Sequence, residues 1–126
     1  MEYTNEQLYT ILQKLNKEIL THEELIFPAT LNFYIQKNKN LLLPLVEEIE
    51  NVRIKIVSSH GDLIEDSNQY KIREDEMDEV VAELNKLFSI TQTVNFYTCG
   101  IELLKDVPLT MAQMDALMFM VKEETV

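Results

Sequence analysis

Residues 31 to 56 carry one unbroken heptad stripe: Leu31, Ile35, Asn38, Leu42, Leu45, Ile49, Val52 and Ile56. The steps alternate between 4 and 3, the spacing of an a/d seam on an α-helix. Seven of the eight positions are aliphatic and the eighth is asparagine. A helix over them runs about 40 Å at a rise of about 1.5 Å per residue. A compact domain of this chain's size is narrower, roughly 30 Å across. The stripe therefore needs a long partner, in the same chain or in another copy. The expectation is a homodimer in which these eight residues form the oligomerisation seam. A polar residue on such a seam fixes register and oligomer state at some cost in stability, which singles out Asn38. Two other roles are open to it: turned to solvent by a kink at Pro44, or bonded to a neighbouring loop.

The rest of the chain is organised around that helix. Its 126 residues suffice for one domain, 1–126, with one core. Two glycines and three prolines allow few tight turns, which favours long elements over a many-stranded sandwich. Thr4 and Gln7 make a capping-box pattern. Leu8, Ile11, Leu12, Leu15 and Ile19 follow at helical spacing and predict a first helix of about four turns. Thr21 and Glu24 repeat the box pattern, so that helix can close there and another open. Pro28 suits the first turn of the long helix, predicted from about Ala29 to Ser59. Pro44 removes one of its backbone hydrogen bonds. Ser58 to Asp62 reads as a helix stop, with Gly61 as the residue after the C-terminus.

Beyond the stop, Tyr70 and Ile72 alternate with charged neighbours, as in a hairpin arm. Met77, Val80, Val81, Leu84, Leu87 and Phe88 predict a third helix over 74–88, with acids in its first turn. Ile90, Gln92, Val94 and Phe96 alternate with Thr91, Thr93, Asn95 and Tyr97, a strand period in strand-forming residues. The phase shifts at Gly100, which predicts a bulge or bend before Ile101 and Leu103. Thr110 and Gln113 give a third capping box, and Met111, Met114, Leu117, Met118 and Val121 mark a closing helix. The fold class is α+β, mainly α: a long-helix hairpin with a small antiparallel sheet and two further helices.

The net charge is −11 and unevenly placed. Residues 60–88 hold nine acids against three bases: Asp62, Glu65, Asp66, Glu74, Asp75, Glu76, Asp78, Glu79 and Glu83. Phosphate backbones repel such a chain, so direct nucleic-acid binding is not expected. The segment can instead dock on a basic protein surface, or simply serve as a solvated face. The single cysteine, Cys99, permits no intrachain disulfide and fits a reducing cytoplasm. No secretory leader and no apolar run near 18 residues is seen, so a membrane partner is not expected.

Motifs for chemistry are weak. His60, Asp62, Glu65 and Asp66 share a loop, but no zinc spacing is present, and a calcium loop from Asp62 fails at Ile64 and Arg73. No metal or other cofactor is therefore expected. Cys99 lies among apolar residues, where a free thiol packs as a small hydrophobe. His22 and His60 are its only possible bases, and neither sits in a recognisable motif. No catalytic residue is assigned and an enzyme is not expected. The methionines of the closing helix read as core, or as an adaptable partner surface.

Thr4-Asn5-Glu6-Gln7-Leu8 opening a helix, Asn32-Phe33-Tyr34-Ile35-Gln36-Lys37-Asn38 entering a long one, the Gly61-Asp62 loop and the closing Leu109-Thr110 helix together resemble a group of proteins. These are small uncharacterised proteins encoded by phages and prophages of Gram-positive bacteria. The resemblance implies a phage origin and action in the host cytoplasm, and carries no activity over to these residues. The expected function is that of a non-enzymatic inhibitor of a host defence protein, a nuclease or an RNA-guided effector. The acidic residues named above would meet its basic nucleic-acid channel. Two alternatives are an oligomeric sponge for a nucleotide signal and a virion structural or assembly protein. With only Arg53 and Arg73, the chain is poor in the arginine forks that phosphate capture favours.

Overall fold

The computed structural model describes residues 1–64 and 69–122. Strand β1 (Glu2–Thr4) leads into α1 (Asn5–Leu15), which continues as a wider helical turn over Asn16–Leu20. The long helix α2 spans Ala29–His60. Strands β2 (Gly61–Leu63) and β3 (Tyr70–Ile72) follow, then a 3₁₀ turn (Glu74–Glu76), α3 (Met77–Ser89) and β4 (Thr91–Thr93). A second 3₁₀ turn (Ile101–Leu104) precedes α4 (Met111–Leu117) and a final 3₁₀ turn (Met118–Met120). The architecture is α+β and mainly α. Two separate two-stranded antiparallel sheets, β1–β4 and β2–β3, stand where one small sheet was expected.

Local sequence accounts for the starts of α1 and α4, each by a capping box. Thr4 accepts from the Gln7 amide and Gln7 reaches back to the Thr4 amide; Thr110 and Gln113 do the same for α4. Thr21 closes the first helix, its hydroxyl donating to the Lys17 carbonyl, but no helix opens from Glu24. Gly61 differs from expectation. Its backbone is extended, with φ −135° and ψ 165°, and it begins β2 instead of forming a left-handed cap. Glycine is needed there for space, because a Cβ would stand 2.9 Å from both the Lys71 and the Val57 carbonyl oxygens.

The long helix finds its partners within one chain. Leu31, Ile35, Asn38, Leu42 and Ile49 are buried, packed into one core with Leu8, Leu12 and Leu15 of α1, Leu87 of α3 and Leu117 and Met120 near the C-terminus. Each such aliphatic side chain contributes about 1.5–3 kcal/mol on burial. Leu45 and Ile56 are half-buried and Val52 is 44% exposed. The four buried aliphatic positions of the stripe are covered by the chain's own helices.

Asn38 takes the loop-bonding role. It is fully buried, its Nδ2 donates to the Tyr97 carbonyl at 2.9 Å, and its Oδ1 accepts from the Tyr97 amide at 2.7 Å. The side-chain amide thereby pairs with the Tyr97 backbone as a neighbouring strand would. The pairing seats the Tyr97 backbone against α2. The strand expected through Leu103 stops at Thr93, and Ile101–Leu104 is helical. Cys99 is buried and pairs with the C-terminal segment, donating to Met120 O at 2.9 Å and accepting from Lys122 N at 2.7 Å. Burial pushes its thiol pKa up, which disfavours the thiolate.

Candidate functional site

The acidic residues gather where α2 ends and α3 begins. α2 delivers His60, and the β2–β3 hairpin turns the chain back so that Arg73 N donates to the His60 carbonyl at 3.1 Å. That pairing sets the 3₁₀ turn Glu74–Glu76 and the first turn of α3 against the last turn of α2. An acid-rich start is favourable there, since the N-terminal end of a helix carries partial positive charge.

Arg73 organises the corner. Its guanidinium bonds Glu76 Oε2, lies 3.3 Å from Asp62 Oδ1 and donates to the Ser59 carbonyl at 3.1 Å. The Arg73 hydrogen bond, with a smaller contribution from His60, holds the Glu76 carboxyl below the usual carboxylate range. The other Glu76 oxygen, Oε1, stands 3.3 Å from His60 Nδ1, and Glu79 Oε2 stands 3.8 Å from the same nitrogen. Glu83 pairs with Lys86 at 3.5 Å. Among the described residues, Glu74, Asp75 and Asp78 are exposed and have no cation within ion-pair distance. Glu65 and Asp66 lie outside the described residues.

Seven of the nine acids named from the sequence therefore belong to one end of the molecule, on the β2–β3 hairpin, the 3₁₀ turn and α3. By sequence His60 groups with its neighbours Asp62, Glu65 and Asp66. The fold instead brings it to Glu76 and Glu79, with donor atoms of all three within 4.8 Å of one another. The i, i+3 spacing of the two glutamates was readable; their distance to His60 depended on the hairpin.

A second polar cluster, missed from the sequence, joins α1 to α2. Arg53 Nε donates to both Glu50 oxygens at 3.0–3.1 Å, and the Tyr9 hydroxyl donates to Glu50 Oε2 at 3.3 Å. The Arg53 hydrogen bond lowers the Glu50 pKa, and burial followed by the Glu50 charge raises that of Tyr9. The adjoining groove between α1 and α2, about 490 Å³, is walled mainly by Leu12, Leu43, Val46 and Tyr9. No helix among the described residues is long and apolar enough to cross a membrane. Compared with protein-family models, curated proteins and solved structures, the chain matches none.

Proposed function

We propose that this chain is a non-enzymatic interaction module that docks on a basic surface of another protein through its acidic end. The observation that carries the reading is the set of exposed carboxylates at Glu74, Asp75 and Asp78, beside the Arg73 network and with no cation within ion-pair distance among the described residues. A set of like charges held on a hairpin and a helix start is pre-positioned for a cationic groove and accelerates encounter with it. The partner class is a host defence protein with a nucleic-acid channel, a nuclease or an RNA-guided effector. The chain itself would be phage-encoded and act in the host cell.

The nucleotide-sponge alternative is less well supported. Arg53 is committed to Glu50 and Arg73 to Glu76 and Asp62, so neither guanidinium is open to a phosphate. The test is capture of partners from Gram-positive host lysate by the full chain, at about 0.15 M and about 1 M salt, where screening lengths are roughly 8 and 3 Å. The expected result is one basic nuclease or effector that is lost at high salt. The triple variant E74Q/D75N/D78N, with an unchanged melting curve, should lose it too. Undiminished capture by that variant would refute the acidic-end reading.

A further inference from the structure

We infer that His60, Glu76 and Glu79 form a binding site for one divalent transition-metal ion of the zinc class. The donor set is one imidazole nitrogen and two carboxylate oxygens, drawn from the last residue of α2, the last residue of the 3₁₀ turn and the first turn of α3. Mixed nitrogen and oxygen donors suit zinc and its neighbours, whereas calcium takes six to eight oxygens and magnesium retains several waters.

The three donor atoms converge on one point. Nδ1 stands 3.3 Å from Glu76 Oε1 and 3.8 Å from Glu79 Oε2. Nδ1 makes a long hydrogen bond to Glu76 Oε1 and an ion-pair contact with Glu79 Oε2. Two ligands about 2.1 Å from one tetrahedral ion stand about 3.4 Å apart. The Nδ1–Glu76 separation matches this, and the Glu79 side chain, 71% exposed, has room to rotate closer.

The surroundings fit the same role. Arg73 holds Glu76 Oε2, which presents Oε1 toward His60; orienting a ligating carboxylate through its other oxygen is the usual work of an outer partner. The Arg73 amide on the His60 carbonyl anchors the helix end that carries the imidazole. Three protein ligands leave a fourth position open, and a cleft of about 260 Å³ adjoins it, lined by Val52, Lys55, Ile56, Ser59 and Glu83 besides His60 and Glu79. Water or an exogenous donor can complete the shell from that side.

The test is isothermal titration of the chelator-treated full chain with zinc chloride near pH 7.5, with magnesium and calcium chlorides as comparisons. One zinc per chain is expected, with no comparable magnesium or calcium binding. H60A and E79Q should each weaken zinc binding by at least about tenfold, the loss seen even when outer partners of a site are removed. E79Q changes an exposed side chain, so its effect is readable even if H60A perturbs the helix end. H22A and D78N, a remote histidine and an uncompensated acid, should leave zinc affinity unchanged. D78N also separates this site from the docking surface. Absence of zinc binding at millimolar metal would overturn the assignment, as would affinity that survives E79Q or falls equally with H22A.

Discussion

Asn38→Ala is the sharpest test of how the long helix holds the rest of the chain. The side chain is fully buried and makes two short hydrogen bonds to one backbone unit, the Tyr97 amide and carbonyl. Truncation removes both partners at once. A buried backbone group left unpaired costs about 1–3 kcal/mol. Water reaching the space from the Tyr97 side, where that residue is 43% exposed, would recover part of that. The expected loss is therefore about 2–4 kcal/mol, a large share of the roughly 5–15 kcal/mol of a domain this size. Urea unfolding followed by helical circular dichroism would read it as a lower midpoint with little change in slope. Asn38→Leu separates bonding from filling, because it restores volume and no hydrogen bond. It should remain destabilised, whereas a purely space-filling Asn38 would be rescued. Amide exchange supplies a local readout: the Tyr97 N–H should lose protection in both variants. A destabilisation below about 0.5 kcal/mol, the range of an ordinary surface change, or unchanged Tyr97 exchange, would refute the pairing.

Two further outcomes follow from the same geometry. Glu50 has its pKa lowered in the fold by Arg53, so the ionised form adds stability above its ordinary value of 4.5, and that stability is lost as pH falls through the folded value. Glu50→Gln should therefore be less stable than the parent at neutral pH, with the gap narrowing below pH 4.5 in thermal melts; a gap that is constant with pH would exclude the linkage. Gly61→Ala places a Cβ 2.9 Å from two backbone carbonyl oxygens that cannot swing away. It should cost about 1–3 kcal/mol, as overpacking does, and an unchanged melting temperature would show that the hairpin yields at no cost.

Much of the fold was legible because it depends on local chemistry. The capping boxes at Thr4 and Thr110 satisfy orphan amides within one turn, so four-residue patterns suffice to find them. The 3.5-residue stripe required a long helix, and α2 runs through Pro44 from Ala29 to His60. The β1–β4 pairing was not legible. β1 is three residues, Glu2–Thr4, with no strand period, and it exists because Asn5 ties it to the far end of α3. The Asn5 side-chain Nδ2 donates to the Leu87 carbonyl at 2.9 Å, and Gln92 Nε2 donates to Asn5 Oδ1 at 2.7 Å. Those partners are more than eighty residues away in sequence, and no window-based periodicity contains them.

The amino-acid sequence by itself determined which faces had to be buried and where helices begin, since burial periodicity and capping act over a few residues. It also determined the acidity of 60–88, because charge is a property of composition. The tertiary structure decided what covers the α2 seam. A heptad stripe specifies an apolar partner of matching length without naming it, and α1, α3 and the segment ending at Met120 cover its buried positions. The tertiary structure also decided that Asn38 binds a loop and that His60 meets Glu76 and Glu79. A side chain's partners are set by which distant backbones the whole core brings within about 3 Å, and that distance is not written in any local stretch of the chain.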